Sequence, residues 1–209
     1  MSKHNIIVGI ITIIFLGAVI GLNVYSFLPN TDWYQFTFSL LVSATFGINR
    51  GGLMGENGNN IEWNTSSKTE NTIYTCFAFV IVSFVFGCVM LLITIVALFK
   101  RVHKKGRKAL FVMSILLFIF NVLATLLFLR LNKALCQDAT DGLTLPFSME
   151  KDLLGSDICS KFKGSDSIFS WGPAIGWYCS LAASVISFVT IFLTSSILHT
   201  RRFGYHVIH

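Results

Sequence analysis

The chain has 209 residues, 54% hydrophobic and only 12% charged, with 20 Phe and a mean hydropathy of +0.70. Those proportions exclude an ordinary soluble domain and describe a chain that crosses lipid several times. The net charge of +6 does not point to nucleic acid, because every acidic residue falls within 32–70 or 138–166 and the basic clusters lie elsewhere.

Taken in order, Ile6 to Leu28 is the first apolar run, stopped by Pro29-Asn30. It is long enough to cross ~30 Å of hydrocarbon at ~1.5 Å per helical residue. Lys3, the apolar run and the small residues after it also fit a cleaved leader. The length of the run and the lack of a small-x-small site favour a retained helix. Within it Gly17 and Gly21 form a GxxxG pair, a spacing that admits a neighbouring helix, although glycine is common in membrane spans for other reasons.

The loop over 29–72 carries the clearest pattern. Tyr34, Phe36, Phe38, Leu40 and Val42 alternate with Gln35, Thr37, Ser39 and Leu41. Period two in aromatic and β-branched residues predicts a strand, with a second over Ala44 to Ile48 and a turn-rich stretch after it. The expected product is a small antiparallel sheet displaying Trp33, Tyr34, Phe36 and Phe38 as an outer contact surface. An interfacial helix from Trp33 to Ile48 is the rival reading. Asn64-Thr65-Ser66 is a glycosylation sequon close to the next span.

The second and third spans, about 73–99 and 109–129, flank Lys100-Arg101-Val102-His103-Lys104-Lys105-Gly106-Arg107-Lys108. A short connection carrying Lys100, Arg101, Lys104, Lys105, Arg107 and Lys108 with no acid is expected to stay cytosolic, against the anionic inner leaflet. Both termini then lie inside, and the loops over 29–72 and 130–170 lie outside. Asn121 in the third span is expected to make an interhelical hydrogen bond. The second outer loop holds Cys136 and Cys159, the favoured disulfide in an oxidising compartment; arrangements using Cys76 or Cys179 stay open. The fourth span, about 171–198, opens Trp171-Gly172-Pro173-Ala174-Ile175-Gly176-Trp177. The two Trp suit a membrane interface, Pro173 suits a first helical turn, and Gly176 begins a face of small residues for helix packing.

This arrangement resembles the claudin and peripheral myelin protein superfamily: four spans, both termini inside, and a strand-forming first loop that begins at a Trp. Trp33 matches the first Trp of the family's loop motif, Gly52-Leu53 stands where its Gly-Leu-Trp lies, and 171–177 looks like its Gly-Trp entry to the last span. Met54 stands where the motif has Trp, the pair of loop-one cysteines is missing, and the ending differs from that of claudins. The resemblance implies an all-α transmembrane four-helix bundle with a small extracellular β-sheet. The ending Gly204-Tyr205-His206-Val207-Ile208 resembles the Gly-Tyr-x-x-apolar signal of lysosomal membrane proteins, with Gly204, Tyr205 and Ile208 as its readable positions and clathrin adaptors as the implied partner.

No Asp, Glu, Lys, Arg or His lies inside a predicted span, which argues against ion-coupled transport and proton relays. CxxC, GxSxG, HExxH and a phosphate-binding Gly-rich loop are all missing from the sequence. The tetraspanin Cys-Cys-Gly and the connexin cysteine triplets are missing too. The expectation is a non-enzymatic multi-pass protein without cofactor, making lateral or cell–cell contacts as a homo-oligomer or with other membrane proteins. A channel-forming subunit, or an accessory subunit of a channel or receptor, is the alternative, and a plasma-membrane or endolysosomal location is compatible with either reading.

Overall fold

Four apolar runs become helices because lipid leaves their backbone polar groups no partner but each other. The structure, a computed structural model, describes residues 3–28, 30–38, 44–49, 52–55, 60–61, 67–99, 104–140, 159–165 and 169–200. Helix α1 spans Lys3–Ser26, and strands β1 (Tyr34–Phe38), β2 (Ala44–Asn49), β3 (Gly52–Gly55) and β4 (Asn60–Ile61) follow. Then come α2 (Lys68–Phe99), α3 (Lys104–Phe128), α4 (Leu131–Thr140), β5 (Gly164–Ser165), β6 (Phe169–Pro173) and α5 (Ile175–Thr200). Four helical stretches are long and apolar enough to cross a membrane: Ile6–Ser26, Lys68–Phe99, Lys108–Asp138 and Ile175–Ser196. The chain has the build of an integral multi-pass membrane protein.

Helix α1 packs on α2 and α5, and α3 packs on the same two, so α1 and α3 stand diagonally across a four-helix ring. The strands form one antiparallel sheet in the order β4-β3-β2-β1-β6-β5, at the end of the bundle where α1 and α3 finish. Tyr34 pairs with Ile48 and Phe38 with Ala44 across β1–β2. On its other side β1 pairs with β6, Tyr34 opposite Pro173 and Phe38 opposite Phe169.

Three boundaries differ from expectation. Residues 171–173 are strand, not helix: Pro173 ends β6, and α5 starts at Ile175. Neighbouring β1 offers this segment a ladder, and tertiary pairing overrides the local look of a helix start. The basic connection is shorter than 100–108, since α3 already begins at Lys104; Lys and Arg are good helix formers and outweigh the one glycine, Gly106, in that turn. Helix α2 begins at Lys68 rather than Ile73 because its first turn is capped. Ser67 Oγ accepts the Glu70 N–H at 2.9 Å, in a Ser-x-x-Glu start. The Asp138 carboxylate accepts the Lys68 and Thr69 N–H groups at 2.9 and 2.8 Å.

Candidate functional site

The sheet meets the bundle in one apolar core built largely of aromatic rings. Along β1 the side chains alternate as the period-two pattern predicts: Tyr34 and Phe36 are buried, and Gln35 between them is exposed. An antiparallel sheet needs cover on its apolar face only. Here the helix ends supply that cover, through Ile73, Phe77, Phe128 and Leu131 among others. This corrects the expected contact surface. Trp33, Tyr34 and Phe36 are 0%, 0% and 2% exposed and face the helices, not a partner. The side chain of Phe38 lies outside the described residues.

Trp33 is the centre of this core. Its ring lies 5.1 Å from that of Phe77 on α2 and 5.0 Å from that of Phe128 on α3. Its indole N–H donates to the Ser26 carbonyl at the end of α1, at 2.6 Å. Its backbone N–H donates to the Ile48 carbonyl, and its carbonyl accepts from Ala174, at 2.8 and 2.9 Å. Gly176 on α5 donates its N–H to the Asp32 carbonyl at 2.9 Å. A Cβ there would lie 2.5 Å from Trp33 Cδ1 and 2.8 Å from that carbonyl oxygen. Gly176 is therefore a close-approach glycine for the sheet junction rather than for a neighbouring helix. One residue thus joins the sheet to α1, α2, α3 and α5.

The ring tips of Tyr34, Trp171 and Trp177 are tied in the same manner, since a buried donor left unpaired costs about 1–3 kcal/mol. The Tyr34 hydroxyl donates to the Phe162 carbonyl at 2.7 Å. Burial pushes its phenol well above the ordinary range, opposed by a hydrogen bond with the Asn132 side chain. The Lys161 carbonyl accepts from both Trp171 Nε1, at 3.0 Å, and Asn132 Nδ2, at 2.6 Å. Trp171 is 4% exposed, so it belongs to this core and not to a membrane interface. Trp177 is half-buried and donates to the Thr125 carbonyl at 3.3 Å.

The segment that supplies the Lys161 and Phe162 carbonyls is anchored by Cys136–Cys159, whose sulfurs are bonded with Cα atoms 5.8 Å apart. Cys76, Cys88 and Cys179 are free thiols. Asp32 sits at the junction with its side chain against Gly47. Burial raises its pKa above the ordinary carboxylate value.

The other sequence-derived sites divide. Gly17 and Gly21 are exposed on α1, and a Cβ at either would meet nothing within 4 Å. Among the described residues the pair packs against no other helix. The close α1–α2 contacts instead run over Gly9, beside Leu98, and Gly87, beside Ile20. Asn121 makes no interhelical bond among the described residues; its Nδ2 donates to the Leu117 carbonyl of its own helix at 3.1 Å. Hydroxyls do the interhelical work, with Thr125 Oγ1 3.2 Å from both Ser180 Oγ and Ser184 Oγ, and Ser114 Oγ 3.0 Å from Thr194 Oγ1. Lys108 is exposed at the foot of α3. Asn64, Lys100, Arg101, Gly204, Tyr205 and Ile208 lie outside the described residues, as do the side chains of Lys104, Lys105 and Arg107.

Three features had no usable signal in the sequence. Asp138 caps a helix remote in the chain, β6 pairs with β1 across the whole middle of the protein, and Asn23 meets Ser83. No protein-family model matches the chain, and no curated protein is significantly similar to it.

Proposed function

We propose that this is a non-enzymatic, structural membrane protein that makes lateral or cell–cell contacts through its sheet. The carrying observation is the attachment of that sheet. Through Trp33 it is fixed to α1, α2, α3 and α5, so it is a rigid display surface and not a lid over a reaction site. With the aromatic face turned inward, the contact face is the reverse one, where Gln35 and Ser170 are exposed, together with the end strands β4 and β5. Unpaired strand ends offer backbone groups to a neighbour.

The positive-inside argument sets this sheet outside the cell or in a lumen, with Lys100, Arg101, Lys104, Lys105, Arg107 and Lys108 over anionic inner-leaflet lipid. The likeness to claudins and peripheral myelin proteins is part of the same proposal, supported by four apolar helices beneath a sheet that begins at Trp33. So is endolysosomal sorting through Tyr205 and Ile208, for which Tyr205→Ala should raise surface labelling; unchanged labelling removes it. Nothing among the described residues favours the channel reading. Asn121, Thr125, Ser184 and Ser187 are buried, and apolar clusters lie on both sides of them.

The test is Gln35→Arg with Ser170→Arg in the full chain, in its native membrane. Chemical cross-linking should lose its oligomer bands while membrane delivery and thermal midpoint stay as in the parent. Undiminished cross-linking would sink the proposal.

A further inference from the structure

At mid-bundle, Gly87 on α2 lets two diagonal helices approach the same point. A Cβ on Gly87 would stand 3.1 Å from Ile20 Cγ1 of α1 and 3.8 Å from Leu117 Cδ1 of α3. One helical turn nearer the sheet, the same three helices carry Asn23, Ser83 and Asn121, each 0% exposed. Asn23 Nδ2 donates to Ser83 Oγ at 3.3 Å. Among the described residues Asn121 Nδ2 donates only within its own helix. Both carboxamide oxygens, Asn23 Oδ1 and Asn121 Oδ1, are buried without a hydrogen-bond partner among the described residues. On the sheet side Val80, Ala124 and Phe128 close the layer; on the other side Leu16, Met90 and Leu117 close it.

We infer that this layer is an internal water-binding site, with water bridging Asn23 and Asn121 across the bundle axis. The two orphaned acceptors require a donor. Leu117's carbonyl can only accept, which fixes the Asn121 carboxamide with its oxygen free. Asn23 can be turned over so that Ser83 donates to its oxygen, and then its Nδ2 is the orphan. Water donates and accepts, and so satisfies either arrangement; buried waters typically make about three such bonds. A metal cation fits worse: no carboxylate lies among these residues, and an unbalanced charge at mid-membrane is costly. The site sits between two apolar layers, so it is a sealed hydration site and not a length of pore.

The decisive measurement is magnetisation transfer between water and the Asn23 and Asn121 carboxamide protons, in the full chain labelled at asparagine and held in lipid nanodiscs. Substitution of each residue assigns its signals. Direct transfer to both, persisting in deuterated lipid, is the expected result; its absence at both overturns the site. A second measurement uses the sign of a stability change. Asn121→Leu removes an amide that bonds no other helix, so without bound water it should raise the folded-to-unfolded ratio. With bound water the ratio should fall by about threefold to tenfold. The double variant with Asn23→Leu should then lose less than the sum of the two single variants. A rise in both single variants would overturn the inference.

Discussion

The two ends of the apolar interior are built by different physics. Where the sheet meets the bundle, large rings do the packing, and the indole N–H groups of Trp33, Trp171 and Trp177 and the Tyr34 hydroxyl each reach a backbone carbonyl. Away from the sheet the contacts run over Gly87 at mid-bundle and Gly9 at the far end, and through the hydroxyls of Ser83, Thr125, Ser180 and Ser184. The difference follows from the surroundings. Beyond the lipid, burying an aromatic ring removes apolar surface from water, worth about 1.5–3 kcal/mol for a large side chain. Inside the lipid, tails solvate apolar side chains as well as a neighbouring helix does. Association there rests on close backbone approach and short hydrogen bonds. The sheet end is thus where most of the fold's specificity is concentrated, and it should be the more fragile end.

Glycines give the sharpest contrast between an enclosed position and an open one. Gly176→Leu drives a side chain into Trp33 and the Asp32 carbonyl. Overpacking of that kind, with loss of Trp33's fit, should cost about 3 kcal/mol or prevent folding. Gly17→Leu meets nothing and should leave the chain as stable as before, or up to about 1 kcal/mol more so from helix propensity. Unfolding monitored in mixed micelles distinguishes the two. Equal losses would mean that α1 is also packed along its outward face.

Next in size is the staple. The Cys136–Cys159 bridge closes a loop of sequence separation 23 and fixes the two carbonyls that Tyr34, Trp171 and Asn132 use. Cys136→Ser with Cys159→Ser should cost about 2–4 kcal/mol. The loss should appear at the sheet end first, as a red shift of tryptophan emission at temperatures where the helical signal is still intact. Reductant on the parent protein should reproduce it. Simultaneous loss of both signals would mean that sheet and bundle unfold as one unit.

Much of this organisation was readable from local pattern. Period two over 34–38 marked β1, long apolar runs marked the helices, and Cys136 with Cys159 lay in one loop. Period two separates two faces of a strand, however, without saying which is covered. The cover on β1 comes from Ile73 and Phe77 on α2 and Phe128 and Leu131 near the end of α3, none of them near β1 in the chain. Gly172 and Pro173 read locally as the entry to a helix, and only the vacant side of β1 makes them strand. A motif misled in the same way at Gly17 and Gly21. Spacing states that a helix has a flat side, whereas what faces that side is fixed by how four helices close into a ring. The glycines that do touch across α1 and α2, Gly9 and Gly87, have no second glycine four residues away to mark them.

The smallest effect concerns Asp32, at the boundary between the two regions. Its carboxyl is desolvated at the junction, and burial raises its pKa in the folded state. In the unfolded chain it titrates near the ordinary value of about 3.9. Between those two values the folded protein holds more protons than the unfolded one, so stability falls as pH rises through that window. Below the unfolded value this contribution no longer changes, and above the folded value the whole penalty is present. Asp32→Asn keeps the backbone carbonyl that Gly176 uses and removes the ionisation. It should therefore be slightly more stable than the parent at neutral pH and equal to it in acid, with a flatter pH profile between. Thermal midpoints from pH 4 to 7.5 decide the matter. A variant less stable than the parent at neutral pH would mean that the ionised carboxylate has a cationic partner, and that the junction is held by charge as well as by the rings around Trp33.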